Sequence, residues 1–292
     1  MSVVLSDIGP ASPLFDEAIG FVKPIEWRAV SLASNLASDG KPSFPGRQVR
    51  DLCCLIEFAE DETARGRVAG ILLRTGSGIV LHCLREGLDE SEAREAICAF
   101  IARGPVKCVL GSAQETRFLE SCLGESPRQI VEYELMRLGS LPDERLTDLP
   151  EGLQARNGRV EDTDAVMPLQ EGYEREEVIP PGDPFDPEAC RANLARSLER
   201  QRIILAVSGD LPVAKAGTNA QGFAFDQIGG VFTARNWRGK GLATAIVARL
   251  SRELMASGRA VVLFVKPGNA PAKRAYEKVG FAPAIPFRIA YF

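Results

Sequence analysis

The sequence has a single histidine, His82, and its seven cysteines form no C-x-x-C pair. An odd number of cysteines, mostly inside apolar runs, excludes a disulfide framework and gives no spacing for a zinc or redox site. We therefore interpret the cysteines as buried thiols of a cytoplasmic protein and His82 as a satisfied core side chain. No metal is predicted.

Long apolar runs and an excess of positive charge are also missing. No uncharged stretch approaches the roughly 18 to 20 residues of a membrane helix, and the amino terminus lacks the pattern of a secretory signal. The formal net charge is -4, with 25% charged and 45% hydrophobic residues. These values predict a soluble globular protein and give no reason to expect a nucleic acid or a membrane as partner.

The same order of elements, β-β-β-α-β-α-β, is predicted in each half of the chain. Short apolar runs bounded by Gly, Asp and Thr indicate strands, and apolar residues at spacings of three and four indicate helices. In the first half the strands are 53–58, 69–75, 78–84, 106–111 and 130–138, and the helices are 89–104 and 115–123. In the second half the strands are 203–210, 211–218, 223–233, 260–265 and 286–292, and the helices are 241–258 and 269–280.

Two irregular stretches organise the chain further. Residues 138–152 are polar, carry two prolines and lack periodicity, as is typical of a linker. The four prolines of 178–187 predict a rigid loop between helical segments at 163–177 and 188–201, and this loop is a candidate wall of a ligand site. We predict an α/β (α+β) protein with domains at 1–147 and 148–292.

The stretch RNWRGKGLAT, residues 235–244, follows a predicted strand and opens a predicted helix. Free backbone N–H groups and the dipole at a helix N-terminus bind phosphate, and Gly239 and Gly241 allow the backbone to approach an anion closely. Arg238 and Lys240 add charge at the rim. Neither a Walker motif nor G-x-G-x-x-G is present, so a nucleoside triphosphate or dinucleotide is not indicated.

Residues Arg238 to Ala243 match the pattern Q/R-x-x-G-x-G/A, and Asn269 to Phe281 match N-x-x-A/S-x-x-x-Y-x-x-x-G-F in most positions. With these two motifs the chain resembles the GNAT superfamily of acyl-CoA-dependent N-acyltransferases. In more detail it looks like a bacterial subgroup with a degenerate GNAT-like amino-terminal domain, although Arg235 and Asn236 replace the Pro-Glu of that subgroup. The resemblance implies two tandem GNAT-like domains, each with a mixed, largely antiparallel sheet flanked by helices.

The resemblance also implies a site. The pyrophosphate of coenzyme A would lie on the turn before the second-half helix, and the pantetheine arm and thiol would face Asn269 and Tyr276. The coenzyme contacts implied in this way are Val231, Phe232, Thr233, Arg238, Gly239, Lys240, Gly241, Leu242, Ala243, Thr244, Asn269 and Tyr276. A backbone N–H near Val231 or Thr233 is expected to bind the acyl carbonyl.

Proton transfer needs an acid and a base. The resemblance implies that Tyr276 protonates the leaving thiolate, and Glu177 and Asp226 are the candidate bases, beside Glu174 and Glu176. No spacing singles out one carboxylate, because the run EREE is also typical of a solvated helix face. Asn269 also has the sequence context of a helix N-cap, and a tyrosine packed between helix and sheet is the alternative for Tyr276.

The first half lacks both motifs. Acidic residues begin the helix at 89–104, where a pyrophosphate would otherwise bind, and 111–126 contains neither the Asn nor the Tyr of the second motif. Domain 1–147 is therefore predicted to be non-catalytic. The chain as a whole is predicted to transfer acetyl from acetyl-CoA to a primary amine of a small molecule or protein in a ternary complex. An acyl-CoA sensor without turnover is the alternative, and a homodimer is left open.

Overall fold

The computed structural model describes residues 2–37, 49–58, 67–179 and 182–292. Within these residues the strands are β1 Ser2–Asp7, β2 Val49–Phe58, β3 Arg67–Thr75, β4 Ile79–Leu84, β5 Cys108–Ser112, β6 Gln129–Leu138, β7 Leu153–Asn157, β8 Ile203–Ser208, β9 Leu211–Gln221, β10 Phe225–Thr233, β11 Ala260–Val265 and β12 Phe281–Tyr291. The α-helices are α1 Pro13–Val22, α2 Val30–Ala37, α3 Glu90–Ile101, α4 Ala113–Ser121, α5 Thr163–Tyr173, α6 Pro187–Arg200, α7 Leu242–Ala256 and α8 Ala270–Val279.

The predicted fold class is confirmed, because a mixed, mostly antiparallel sheet is flanked by helices. The predicted strands and helices all have counterparts in the structure, whereas β1, α1, α2 and β7 were not predicted. The predicted linker 138–152 contains a 3-10 helix at Glu144–Thr147, and α5 continues into a π-helical turn at Glu174–Val178. Part of the predicted rigid loop 178–187, residues 180 and 181, lies outside the described residues.

The chain divides into two compact units. Unit 1 comprises Met1–Leu135, Gln221–Ala224 and Ile285–Phe292, and unit 2 comprises Met136–Ala220 and Phe225–Ala284. Most of the predicted domain at 148–292 therefore falls in unit 2, although short segments of it belong to unit 1. The assignment of a non-catalytic domain at 1–147 and a catalytic domain at 148–292 stays a prediction.

In unit 1, β1 to β4 pair antiparallel, β4 pairs parallel with β5, and the last residues of β12 pair antiparallel with β5. Alternation along β2 divides its side chains between two cores. Cys53 and Leu55 join a cluster with residues of α3 and α4, whereas Cys54 and Ile56 join a cluster with residues of α1 and α2. The sheet of unit 1 therefore lies between two helical layers, as the period of two in a strand requires.

A buried polar network joins β4 and α4 in unit 1. His82 Nδ1 lies 3.1 Å from Glu115 Oε2, and His82 Nε2 lies 3.0 Å from the hydroxyl of Thr116. Arg28 Nη1 lies 3.2 Å from Glu115 Oε1, and the amide of Leu84 donates to the same carboxylate. The prediction that His82 is a satisfied core side chain is confirmed.

We expect Glu115→Gln to flatten the acid dependence of stability. Burial by itself raises the pKa of Glu115, but the hydrogen bond with His82 and the charge of Arg28 outweigh it and hold the pKa below its ordinary value. Because the pKa is lower in the folded state, the stabilisation is present above the unfolded pKa and is lost as the pH falls through the folded one. Urea unfolding should therefore show a loss of stability in the wild type between about pH 5 and pH 3 that the variant lacks.

The matched control is Glu125→Gln, since Glu125 is exposed in the same unit. At neutral pH, Glu115→Gln should cost about 2 kcal/mol or more, because it leaves Arg28 without its carboxylate, while the control should stay within about 0.5 kcal/mol of the wild type. If the stability of all three proteins fell equally as the pH is lowered, Glu115 would not be the source of the acid dependence.

In unit 2 the strands run in the order β11-β10-β9-β8-β7, with β10 and β11 parallel and β7, β8 and β9 antiparallel. Alternation along β8 again defines two cores. Ile204 and Ala206 pack in a cluster with residues of α7 and α8, whereas Leu205 and Val207 pack in a cluster with residues of α5 and α6. Successive side chains of β8 therefore point alternately towards α7 and α8 and towards α5 and α6.

Candidate functional site

The pairing of the parallel strands β10 and β11 ends halfway along β10. Their paired register runs from Phe225 opposite Ala260 to Ile228 opposite Leu263, and β10 continues to Thr233. Gly229 and Gly230 stand where the pairing ends, and Gly230 has a φ of +61°. A left-handed residue inside a strand is typical of a bulge, which redirects the strand that carries it.

The two glycines also make room for side chains of β9. A Cβ at Gly229 would overlap the side-chain amide of Asn219, and a Cβ at Gly230 would lie 3.1 Å from the Nζ atom of Lys215. Lys215 in turn donates to the carbonyl oxygen of Gly230 at 2.8 Å. Larger residues at these positions would displace the polar groups beside the bulge.

Beyond the bulge, alternate amides of β10 point away from β9. The amide of Ala234 donates to the carbonyl of Val213 in β9 at 2.9 Å. Because successive N–H groups of a strand point in opposite directions, the amides of Val231 and Thr233 face the side on which β11 has separated. Both amides that were candidates for binding the acyl carbonyl therefore lie where the two strands separate. The ring of Phe232 lies against Gly172 of α5.

The turn before α7 has the backbone that an anion site requires. Gly239 and Gly241 have φ values of +77° and +80°, and the position of a Cβ at either glycine has no heavy atom within 4 Å. Gly241 is the N-cap of α7 and offers no side chain, and the helix's first hydrogen bond runs from Ala245 to Gly241. The amides of Leu242, Ala243 and Thr244 therefore remain available at a positive helix end.

The corresponding helix of unit 1 is capped by its own carboxylate. Asp89, the N-cap of α3, accepts hydrogen bonds from the amides of Ser91 and Glu92. Glu90 and Glu92 add negative charge to the first turn. This helix end already holds an anion, whereas the N-terminus of α7 has a glycine in the same place.

The basic side chains of the turn have partners of their own. Arg235 and Arg238 bind the two oxygens of Glu176 at 3.0 and 2.8 Å, and Arg238 also donates to the carbonyl of Thr233. The ammonium of Lys240 lies 4.4 Å from the centre of the Trp237 ring. The hydrogen bonds from Arg238 and Arg235 lower the pKa of Glu176 despite some desolvation. Glu176 therefore ties the π-helical turn after α5 to the turn before α7.

A second contact with that π-helical turn is made through Glu177, which binds Asn269 and Lys266. Asn269 is the N-cap of α8, since its Oδ1 accepts the amide of Ala272, and its Nδ2 lies 3.5 Å from Glu177 Oε1. Lys266 binds Glu177 Oε2 at 2.9 Å and also donates to the backbone carbonyl of Glu177. Asn269 thus has the capping role that the sequence allowed.

Tyr276 lies in the second turn of α8, with 7% of its surface exposed. Its ring packs edge-on against Phe281 with 6.3 Å between the centroids. Burial raises the pKa of Tyr276 well above its ordinary value, and the nearby Tyr173 and Glu177 act in the same direction. The phenol is therefore protonated near neutral pH and can donate a hydrogen bond.

Asp226 is in a different setting. It lies in the part of β10 that is paired with β11, and Arg259 binds its Oδ1 at 2.7 Å. Its side chain is 3% exposed. The structure therefore brings Glu177, Asn269 and Tyr276 to one neighbourhood and places the carboxylate of Asp226 in an ion pair with Arg259.

Lys215 is a residue that sequence reasoning missed. It is 5% exposed, and its Nζ lies 4.8 Å from the centre of the Tyr173 ring. A lysine inside the apolar run LPVAKAGT was the available signal, because lysine is almost never fully buried without a partner. That signal does not reveal the partner, which is a backbone carbonyl on the neighbouring strand.

Solved structures of GNAT proteins share this arrangement of elements. Residues 218–286, about a quarter of the chain, match the family model described as FR47-like protein. A tandem GNAT protein from the clavulanic acid biosynthesis pathway superposes with a TM-score of 0.60 at 12% identity, covering 99% of this chain and 98% of its own. A GNAT-family acetyltransferase from Colwellia psychrerythraea has a TM-score of 0.54 at 14% identity, with 99% of both chains covered.

A Drosophila protein is similar with a TM-score of 0.65 at 13% identity, over 99% of this chain and 98% of that one. A sequence comparison with curated proteins gives no match. At these identities the structural likeness establishes the fold. The chain has the GNAT fold, and the resemblance predicted from the two motifs is confirmed at the level of the fold. More particularly, its segment 218–286 is similar to the FR47-like proteins.

Two further searches concern the described residues only. Among them, no helix combines the length and apolarity that a membrane span would need. The same residues contain no group of three or more His, Cys, Asp or Glu side chains arranged to hold a metal ion.

Proposed function

We propose that the protein is an N-acetyltransferase that transfers acetyl from acetyl-CoA to a primary amine by direct attack in a ternary complex. The main support for this proposal is the N-terminus of α7. It has no side-chain cap, and it follows the end of β10 that is not paired with β11, after one turn. In this proposal residues 148–292 form the catalytic domain. Domain 1–147 is non-catalytic, because Asp89 already caps the equivalent helix.

The residues present fit coenzyme A. Free amides from Leu242 to Thr244, together with two glycines of positive φ, suit a pyrophosphate. Arg238 and Lys240 supply charge at the rim of that turn, and Asn269 and Tyr276 lie on α8 for the pantetheine arm and the thiol. Arg235 and Arg238 would contact phosphate after exchanging part of their interaction with Glu176.

The chemistry requires no nucleophile from the protein. The amine nitrogen attacks the acyl carbonyl carbon, the C–N bond forms, and the C–S bond breaks with its electron pair going to sulfur. The amides of Val231 and Thr233 would stabilise the negative charge on the carbonyl oxygen. Tyr276 would then give its phenolic proton to the thiolate, and the proton that the acylated nitrogen loses would return to the phenolate.

We assign the removal of the ammonium proton to Glu177, which contacts Asn269 and whose charge raises the pKa of Tyr276. All three carboxylates are ion-paired, since Glu176 binds two arginines, Asp226 binds Arg259 and Glu177 binds Lys266, but of these only Glu177 contacts Asn269, and it would exchange its pair with Lys266 for the ammonium group. We therefore propose that Asp226 fastens β10 to the loop before β11, in place of the catalytic role that was one of the sequence expectations. The free, mostly buried cysteines support the proposed cytoplasmic location.

The test combines binding and turnover. Calorimetric titration of the full chain with CoA and with acetyl-CoA should show saturable binding. Thiol release on addition of a panel of primary amines, covering small amines, amino sugars, amino acids and lysine peptides, should identify an acceptor. Absence of CoA binding would overturn the proposal, and binding without transfer to any amine would favour a sensor.

A further inference from the structure

Lys215 is a buried cation beside the bulge of β10, and the chemistry proposed above does not use it. Its ammonium donates to the carbonyl oxygen of Gly230 at 2.8 Å and lies over the ring of Tyr173. Burying a cation is costly unless its partners compensate for the lost hydration. A backbone carbonyl and an aromatic face offset only part of that cost, so the position of Lys215 calls for a functional explanation.

The bond to Gly230 acts on a peptide group that also contains the amide of Val231. The described part of the chain contains no cis peptide bond, so the Gly230 carbonyl and the Val231 N–H lie in one plane and point in opposite directions. The carbonyl of Gly230 is held by Lys215 on one side. The N–H of Val231 then faces the opening between β10 and β11, consistent with the alternation set by the Ala234–Val213 hydrogen bond.

We propose that Lys215 is a positioning residue that orients and polarises the Gly230–Val231 peptide, so that the amide of Val231 becomes a stronger donor to the acyl carbonyl. The inference rests on the proposed function, because it concerns the carbonyl-binding amide of that site. A positive charge on the oxygen side of a peptide withdraws electrons from its N–H, and hydrogen bonds in series strengthen each other. Gly230, with its φ of +61°, provides the backbone turn that makes this geometry available.

The groups that face Lys215 set its charge. Tyr173 and Glu174 approach from the end of α5, and Cys190 approaches from α6. Burial lowers the pKa of Lys215 to about 8, and the negative charge of Glu174 opposes part of that shift. The polarising charge is therefore present at neutral pH and is lost as the pH rises through the pKa of Lys215.

The experiment reads the bond order of the acyl carbonyl directly. Infrared difference spectra of acetyl-CoA labelled with ¹³C at the carbonyl, bound to the full chain without an acceptor, report how strongly its oxygen is hydrogen-bonded. In the wild type, the carbonyl stretch should lie below its value in water and should move to higher wavenumber above about pH 8. In Lys215→Met it should already lie at the higher wavenumber and should be independent of pH.

Kinetics provide a second readout. Lys215→Met should lower kcat about tenfold, since it weakens an oxyanion donor without removing it, while the KM for acetyl-CoA changes by less than about twofold. The Tyr276→Phe variant is the matched control, because it should lower kcat and leave the carbonyl stretch and its pH dependence unchanged. A stretch at the wild-type position in folded Lys215→Met would overturn the inference and leave Lys215 a structural residue.

Two controls separate the possible failures. If Lys215→Met does not fold, the pH dependence of the wild-type spectrum decides alone, and a stretch that stays constant from about pH 6 to pH 10 overturns the inference. If the wild type does not bind acetyl-CoA in calorimetry, the proposed function itself fails. Binding with normal turnover and a stretch insensitive to Lys215 refutes only the role of Lys215.

Discussion

Gly241→Val is expected to weaken the binding of CoA at least about tenfold, whereas Lys240→Ala is expected to weaken it only about twofold to threefold. Gly241 has a φ of +80° at the N-cap of α7, a conformation that a β-branched residue adopts only with strain. The turn must therefore change shape, and the amides of Leu242 to Thr244 lose their common direction. Lys240 is exposed and contributes one solvated charge beside Trp237.

The chain offers a matched control for this prediction. Gly258 follows the other end of α7 with a φ of +79°, and a Cβ there would also meet no heavy atom within 4 Å. Gly258→Val should thus impose a similar strain on the same helix and lower stability to a similar extent, without touching the proposed phosphate site. Calorimetry with CoA should give an affinity near that of the wild type for Gly258→Val. A larger loss for Lys240→Ala than for Gly241→Val would refute the backbone explanation.

Tyr276→Phe is expected to lower kcat about 100-fold and to leave the KM for acetyl-CoA nearly unchanged. The substitution removes one hydroxyl and keeps the ring that packs against Phe281. Because burial keeps the phenol protonated, the wild-type residue would enter the proposed reaction as a proton donor, and the variant would have to expel the thiolate without it. Steady-state rates with the best acceptor of the amine panel measure the effect.

Tyr133→Phe in β6 serves as the control for loss of a tyrosine hydroxyl elsewhere and should keep wild-type kinetics. A urea unfolding curve of Tyr276→Phe should confirm that the variant is folded. A folded variant with unchanged kcat would remove Tyr276 from proton transfer. In that case the tyrosine would act as the packing residue between helix and sheet that its sequence context also allowed.

Much of the fold followed from local patterns. Apolar residues repeating at helical spacing defined α7, and short apolar runs between turn residues defined β8 to β11, because those periods reflect one-sided burial. The missed elements lie where such a pattern is short. β7 has five residues and no fully buried side chain, so its sequence carries little periodicity. The helices α1 and α2 lie at the amino terminus, in a stretch for which no elements were predicted.

Backbone features of the candidate site were also predictable. Glycine at 239 and 241 indicates positive φ, and both residues have it. Asn269 stands three residues before the amide that it caps, which is a local relation along the chain. Motifs of this kind are visible in sequence because their residues act within one turn of each other.

The partners of the candidate catalytic carboxylates could not be predicted from the sequence. Glu174, Glu176 and Glu177 are equivalent in a one-dimensional pattern, yet Glu176 binds two arginines from 59 and 62 residues away, and Glu177 binds Lys266 from the strand end before α8. Asp226 pairs with Arg259 across a strand connection. Partners so distant in sequence are set by the packing of elements, and charge alone does not select among them.

The sequence by itself determined the glycine turn before α7, the helix that follows it and the absence of such a turn in the first half, because each depends on residues that are neighbours along the chain. Only the tertiary structure decided which carboxylate contacts Asn269, and that a lysine of β9 holds the peptide at the bulge of β10. These pairs form when strands and helices pack, since hydrogen bonds and ion pairs depend on distances of about 3 Å that no linear spacing specifies.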